Sequence, residues 1–319
     1  MANEPRASAG GYSAWLRTCL ALTAGALAVG TLAAQDYVGS DACRPCHPDI
    51  ASTFFRNPHY KNVAAGNQDP QQAGCESCHG PASAHLTARG GKQTIPNAFS
   101  LMQPSKIIEA CLACHSQTIS RANIRRSEHT LDGVVCTNCH SIHRSQAPKF
   151  LLAAARQRDL CYGCHTTVRA QFSMPFKHRV NEGAIQCTDC HNPHGSFAAT
   201  WNMAGRPRMV DQAVGNEEPC LKCHTDKRGP FVYEHAAVRV EGCETCHNAH
   251  GSPNARLLKR PVTFTLCLEC HSGLGNFGRQ ADGVTRPSST HNMADPRYQN
   301  CTTCHVRIHG SNSDSRFLR

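Results

Sequence analysis

The sequence predicts an elongated chain of short α-helices and long ordered loops, with little or no β-sheet, folded around something other than an apolar core. Three observations carry that prediction. Twenty of the 21 cysteines fall into ten C-x-x-C-H pentapeptides. Ten further histidines stand outside those pentapeptides, one for each. Aromatic residues make up 6% of the chain and include two Trp, which is too little for an ordinary core in 319 residues.

The pentapeptides place cysteines at Cys43 and Cys46, Cys75 and Cys78, Cys111 and Cys114, Cys136 and Cys139, and Cys161 and Cys164. They continue at Cys187 and Cys190, Cys220 and Cys223, Cys243 and Cys246, Cys267 and Cys270, and Cys301 and Cys304. In C-x-x-C-H the two thiols form thioethers with haem vinyl groups, and the adjoining histidine supplies the proximal iron ligand. A disulfide framework gives no reason for His to follow every second Cys. Zinc ribbons need two C-x-x-C knuckles per ion and no such His, and a thioredoxin-like pair is a single motif beside a βαβ pattern that this chain lacks. Haem alone accounts for every position, so the fold class is a multihaem cytochrome c with ten covalently bound haem c.

The short helices and long loops follow from the ratio of chain to cofactor. Fewer than 30 residues remain per haem after the N-terminal segment is set aside, so porphyrin supplies much of the buried apolar surface. The apoprotein is expected to be largely unfolded.

Residues 1 to 17 are polar with Arg6 and Arg17 and lead into TCLALTAGALAVGTLAA, ending at Ala34. This segment, 1–34, resembles a secretory signal peptide cleaved after Ala33 or Ala34. The left-over Cys19 leaves with it. The 17-residue run is just long enough for a retained anchor, but its Ala and Gly richness and small terminal residues favour cleavage. Beyond it the strongest apolar run is Phe150 to Ala155, far too short to span a membrane. The expected location is the periplasm of a bacterium, where haem is attached.

The formal charge of +10 needs correction for the cofactor. Without residues 1–34 the chain keeps 31 basic and 22 acidic residues, net +9. Ten haems add roughly twenty propionate charges and about ten positive charges when ferric, which brings the oxidised protein near neutrality. A nucleic-acid partner is therefore not indicated. Arg121, Arg125 and Arg126, and Arg206 and Arg208, read as propionate-paired or solvated faces before docking patches.

Ten histidines lie in the motifs: His47, His79, His115, His140, His165, His191, His224, His247, His271 and His305. The spare ten are His59, His85, His129, His143, His178, His194, His235, His250, His291 and His309. Every even-numbered motif has one spare His before it and one after, and the odd motifs have none of their own. HRVNEGAIQCTDCHNPHG, HAAVRVEGCETCHNAHG and HTLDGVVCTNCHSIH read as one element, so the chain divides into five two-haem units. An equally readable division is an N-terminal five-haem half, 35–165, and a C-terminal half, 166–319.

Spare histidines in register with the motifs point to distal ligation. Met102, Met174, Met203, Met209 and Met293 are alternative axial ligands, but with His sufficient for every iron they are better read as packing. In C-H-x-x-H the two rings project from one face of a helix with Cβ atoms ~5 to 6 Å apart, whereas axial ligands approach an iron from opposite sides. His143, His194 and His250 should therefore serve a neighbouring haem. An iron with two His ligands has no vacant position, so electron transfer is favoured over catalysis at a concealed open haem, and low potentials are expected.

These features resemble the periplasmic decahaem c-type cytochromes of the DmsE/MtrA type. The resemblance rests on ten plain C-x-x-C-H motifs, a length near 300 residues, and CTDCHNPHG at Cys187 to Gly195 with its upstream His178. His309, four residues after His305, and His85, six after His79, depart from the spacing of three. The resemblance implies an elongated protein with two His ligands on each haem, seated in an outer-membrane β-barrel porin. Its implied partners are a periplasmic or inner-membrane cytochrome on one side and an extracellular multihaem cytochrome or terminal reductase on the other. A freely diffusing periplasmic shuttle or reservoir, and a multihaem reductase, are the competing functions.

Overall fold

A computed structural model describes residues 36–54, 56–60, 74–117, 121–147, 149–195, 219–271, 278–279, 285–286, 291 and 295–318. The signal-peptide segment with Cys19, and Arg206, Arg208, Met203, Met209 and Met293, lie outside them. Among the described residues the longest helix is Pro104–His115, 12 residues, and the remaining helices are single or double turns such as Gln157–Tyr162, Thr166–Gln171 and Thr263–Leu268. Strand structure is confined to a two-residue antiparallel ribbon, Gly278–Arg279 with Thr285–Arg286, and isolated bridges.

Each motif is one helical turn. The amide of its His donates to the carbonyl of its first Cys, at 2.8 Å in the fourth motif and 3.0 Å in the first and second, which sets both sulfurs and the imidazole on one side of the turn. In the fourth and sixth motifs the residue before the second Cys anchors the turn. Asn138 and Asp189 accept from the Val135 and Gln186 amides at 2.8 Å, satisfying a donor that a short helix leaves orphaned. Pro104 opens the long helix at a position where no amide is needed, and the third motif occupies its last turn.

Apolar packing is thin. Ile107, Ile108 and Leu112 of the long helix meet Ile124 and Val135, with Phe99 and Met102 packed against them. Tyr162, Phe172 and Val180 form a second cluster. In the C-terminal part, segments around successive motifs are joined by a repeated polar bridge. Phe176, two residues before His178, forms an antiparallel bridge with Ser252, two residues after His250. Tyr233 and Ser311 form the same bridge beside His235 and His309. Ser252 is fully buried, and its hydroxyl donates to the Leu258 carbonyl at 2.6 Å while accepting from the Asn254 amide.

Candidate haem sites

Every motif histidine faces one spare histidine across a gap. With sites numbered 1 to 10 in motif order, the first five pairs are His47 with His85, His79 with His143, His115 with His59, His140 with His194, and His165 with His129. The next five are His191 with His250, His224 with His178, His247 with His309, His271 with His235, and His305 with His291. Ring centroids are 5.7 to 6.4 Å apart. A metal bonded to a ring nitrogen on each side at ~2.0 to 2.1 Å sets the centroids about 6.3 Å apart, which matches sites 1, 4, 7, 8 and 9 most closely, while at site 3 the facing Nε2 atoms stand 3.4 Å apart, closer than the ~4 Å that two such bonds need.

The pairing obeys a rule. A spare His downstream of an even motif faces the even site of the preceding unit, as His143, His194, His250 and His309 face His79, His140, His191 and His247. A spare His upstream of an even motif faces the odd site of the following unit, as His59, His129, His178 and His235 face His115, His165, His224 and His271. Only the chain ends break the pattern: His85 turns to His47, and His291 to the His305 of its own motif.

Hydrogen bonds at Nδ1 orient the rings. The Nδ1 of His140, His247 and His305 meets the carbonyls of Phe150, Arg256 and Arg316 at 2.6, 2.8 and 2.6 Å. That of His79 meets the Asn97 carbonyl at 3.0 Å. His129 and His178 meet the carbonyls of Pro193 and Ala249 at 3.0 and 2.7 Å. A carbonyl accepts only, so Nδ1 carries the proton and Nε2 is left with its lone pair for a metal. Burial pushes the pKa of His59, His115, His143, His191, His194, His235, His250 and His309 below the usual histidine value, towards the neutral ligand form.

The Phe150, Arg256 and Arg316 carbonyls are delivered by a clasp that the sequence reading missed. Phe150 and Leu151 (φ 64° and 52°), Arg256 and Leu257 (both 60°) and Phe317 (61°) are left-handed without being glycine, at ~1 to 2 kcal/mol per residue. The bend also lets the Leu151, Leu257 and Phe317 carbonyls accept from the amides following or near the motif His, Ser141, Asn248 and Arg307, at 2.7, 2.7 and 2.9 Å. K-F-L-L, A-R-L-L and S-R-F-L after the fourth, eighth and tenth motifs were its only sequence trace. Glu76 was missed too. It is 3% exposed, and its carboxylate accepts from the Val38, Gly39 and Ala82 amides at 3.0, 2.8 and 2.9 Å, tying the chain before the first motif to the second.

The cysteines give the order of the sites. Burial and the neighbouring Cys75 thiol push Cys43 up to about 11, and burial and Cys301 push Cys267 up to about 12. A hydrogen bond between Cys111 and Cys136 holds the first protonated and brings the second down to about 7, and Cys161 and Cys187 behave likewise. In these four units the first cysteines of the two motifs are thus neighbours. Between units the second cysteine is within electrostatic reach of the next motif: Cys78 of Cys114, Cys139 of Cys164, Cys190 of Cys220, and Cys246 of Cys270. These proximities run in motif order from the first motif to the seventh and from the eighth to the tenth.

The chain holds room for a large group at these sites. One connected cavity of about 4720 Å³ is lined by both histidines of sites 2 to 10, or about 520 Å³ per site, the size of a cofactor pocket. The twenty motif cysteines form no disulfide. Among the described residues no three His, Cys, Asp or Glu converge to cage a bare ion. A group that takes two thioethers and two axial nitrogens fits this donor set, as haem c does.

Comparison with known proteins agrees. A model described as doubled CXXCH motif matches residues 129–170 and 235–276, one for cytochrome c7 and related cytochrome c matches 172–248, and one for cytochrome c554 and c-prime matches 82–141. The chain is 33% identical to the multiheme cytochrome MtrA of Shewanella baltica over 287 residues, 87% of this chain and 80% of that protein. The chain belongs to the MtrA family of multihaem c-type cytochromes. As an MtrA-family protein it binds haem c covalently through C-x-x-C-H motifs and is an electron carrier, not an enzyme. It is also 23% identical to the high-molecular-weight cytochrome c of Nitratidesulfovibrio vulgaris over 222 residues, 59% of this chain and 35% of that longer protein.

Proposed function

We propose that this MtrA-family chain is a ten-haem electron conduit, seated in an outer-membrane β-barrel and carrying electrons between periplasmic carriers and an extracellular acceptor or donor. The observation that carries the reading is the one-to-one facing of all ten motif histidines with all ten spare ones. With ten haems held in this way both axial positions of every iron are closed, so no site admits a substrate. Each haem c, when bound, stores and releases one electron. The cysteines tether each group, the paired imidazoles fix its two faces, and the carbonyls at Nδ1 keep those imidazoles in the donor tautomer.

The order of attachment supports a conduit with two ends. The hydrogen bond between Cys161 and Cys187, on either side of a 165/166 boundary, supports reading the chain as five two-haem units. Export by cleavage of residues 1–34, periplasmic residence, and partners on both sides of the outer membrane belong to the same proposal. No helix among the described residues is long and apolar enough to cross a membrane, and a many-stranded barrel offers a polar lumen to such a chain.

Purification from detergent-extracted outer membranes tests this. The conduit co-elutes with a β-barrel protein, and the complex in sealed vesicles passes electrons from an external reductant to a trapped acceptor. Recovery of all the protein as a barrel-free periplasmic species would leave a soluble shuttle in its place.

A further inference from the structure

The joints between units share a feature that reaches from one haem site to the next. His129 faces His165 at site 5, and its Nδ1 bonds to the carbonyl of Pro193. The next residue, His194, faces His140 at site 4. His178 at site 7 bonds in the same way to Ala249, and the adjoining His250 faces His191 at site 6. At these joints the peptide carrying one distal histidine receives the Nδ1 proton of the other.

The joint between sites 2 and 3 is built differently. The equivalent carbonyl belongs to Ile142, next to His143 of site 2, but His59 does not bond to it directly. Asn57 stands between them: its Oδ1 accepts from the His59 Nδ1 at 3.1 Å and from the His59 amide at 2.9 Å, while its Nδ2 donates to the Ile142 carbonyl. The side chain is buried in a residue 6% exposed. The His59 Nε2 then points at the Nε2 of His115, 3.4 Å away.

The two imidazoles are crossed by 80° at site 3 and 63° at sites 5 and 7, whereas His235, at the joint beside Ile308, lies at 15° to His271 at site 9 and the site 6 rings are tilted by 44°. Where the proximal ring is held by a carbonyl, at sites 2, 4, 8 and 10, they are near parallel, at 18°, 15°, 14° and 23°. Crossed and parallel axial imidazoles split the iron d orbitals differently, so the two classes give distinct low-spin ferric resonances. Hydrogen bonding at Nδ1 tunes ligand basicity and with it the potential.

We propose that Asn57 is a positioning residue for the third haem, holding the His59 ring crossed to His115 and tying it to the backbone that carries the distal histidine of the second. The proposal rests on the ligation read above. It assigns a side chain at this joint to the task that backbone carbonyls perform at the joints of sites 4 and 5 and sites 6 and 7. Site 3 is therefore a joint whose ligand field can be altered by a substitution that touches no ligand.

The test compares the intact holoprotein with its Asn57→Leu and Asn57→Asp variants by haem count per chain, low-temperature electron paramagnetic resonance and potentiometric titration. Asn57→Leu removes the acceptor, and one haem's worth of the crossed-plane, large-g signal moves to the rhombic region. Asn57→Asp keeps an acceptor of the same shape and adds charge; the crossed signal stays and one midpoint potential shifts downward. Should Asn57→Leu fail to incorporate haem, the downward shift in Asn57→Asp decides alone. The proposal is overturned by an unchanged spectrum in Asn57→Leu, or by no downward shift in Asn57→Asp. High-spin iron or fewer than ten haems in the unsubstituted protein would overturn the ligation reading instead.

Discussion

Single residues in this chain act on haem geometry through the backbone. Gly251 follows His250, and a Cβ built there would lie 2.1 Å from the Gln171 carbonyl oxygen, while the Gln171 side chain accepts from the His250 Nδ1 at 2.9 Å. A methyl group cannot displace backbone cheaply, so Gly251→Ala is expected to push His250 out of register. The readout is carbon monoxide binding at one haem, where under the proposed ligation the unsubstituted protein is expected to bind none. Glu76 acts on stability. Its loss in Glu76→Ala leaves three amides without their acceptor, at about 3 kcal/mol in total, measured by denaturant titration of the holoprotein. Under the proposed ligation His194→Ala isolates a single ligand: the haems are expected to remain attached through their thioethers, and one to become high-spin and carbon monoxide-reactive.

At the scale of elements, the left-handed clasp is the device to test. Proline fixes φ near −65°, so Leu257→Pro cannot place the Arg256 and Leu257 carbonyls against His247 and Asn248. It is expected to cost about 3 kcal/mol and to alter one parallel-plane resonance. Leu257→Gly adopts φ 60° without steric cost and should keep that resonance. The contrast explains what the sequence did and did not make legible. The motifs and the register of spare histidines follow local spacing, and the face-sharing of C-H-x-x-H excluded a same-haem role for His143, His194 and His250. The clasp left no turn signature, because Phe150, Leu151, Arg256 and Leu257 are not the residues that usually mark a left-handed bend. Asn57 was silent for a different reason: its partner carbonyl at Ile142 lies 85 residues away, and no short-range pattern encodes such a pair.

At the scale of the whole molecule, apolar side chains do little of the stabilising. Eleven are buried among the described residues, in small clusters separated by the connected cavity that lines nine sites. A chain secreted without haem attachment is therefore expected to lack most of its helical circular dichroism and to be cut rapidly by protease. Short helices and scarce strand were foreseeable from the ratio of chain to haem. The forward reach of His59, His129, His178 and His235 was not, since nothing in the local sequence says which way an upstream histidine turns. Nor was the pairing at the first and tenth sites, where His85 and His291 face histidines of their own units.

The pairing rule also sets a timetable. A chain exported from its N-terminus presents His191 well before His250, and His140 before His194, so under the proposed ligation each inner even-numbered iron waits for its second ligand until the following unit has emerged. Upstream histidines such as His178 wait in turn for a haem not yet attached. A cut after Gly195 leaves one iron short of a ligand and one histidine short of an iron. No prefix of the chain is self-sufficient, and only arrival of the last unit, which carries His309 for the eighth site and its own His291 for the tenth, closes the row.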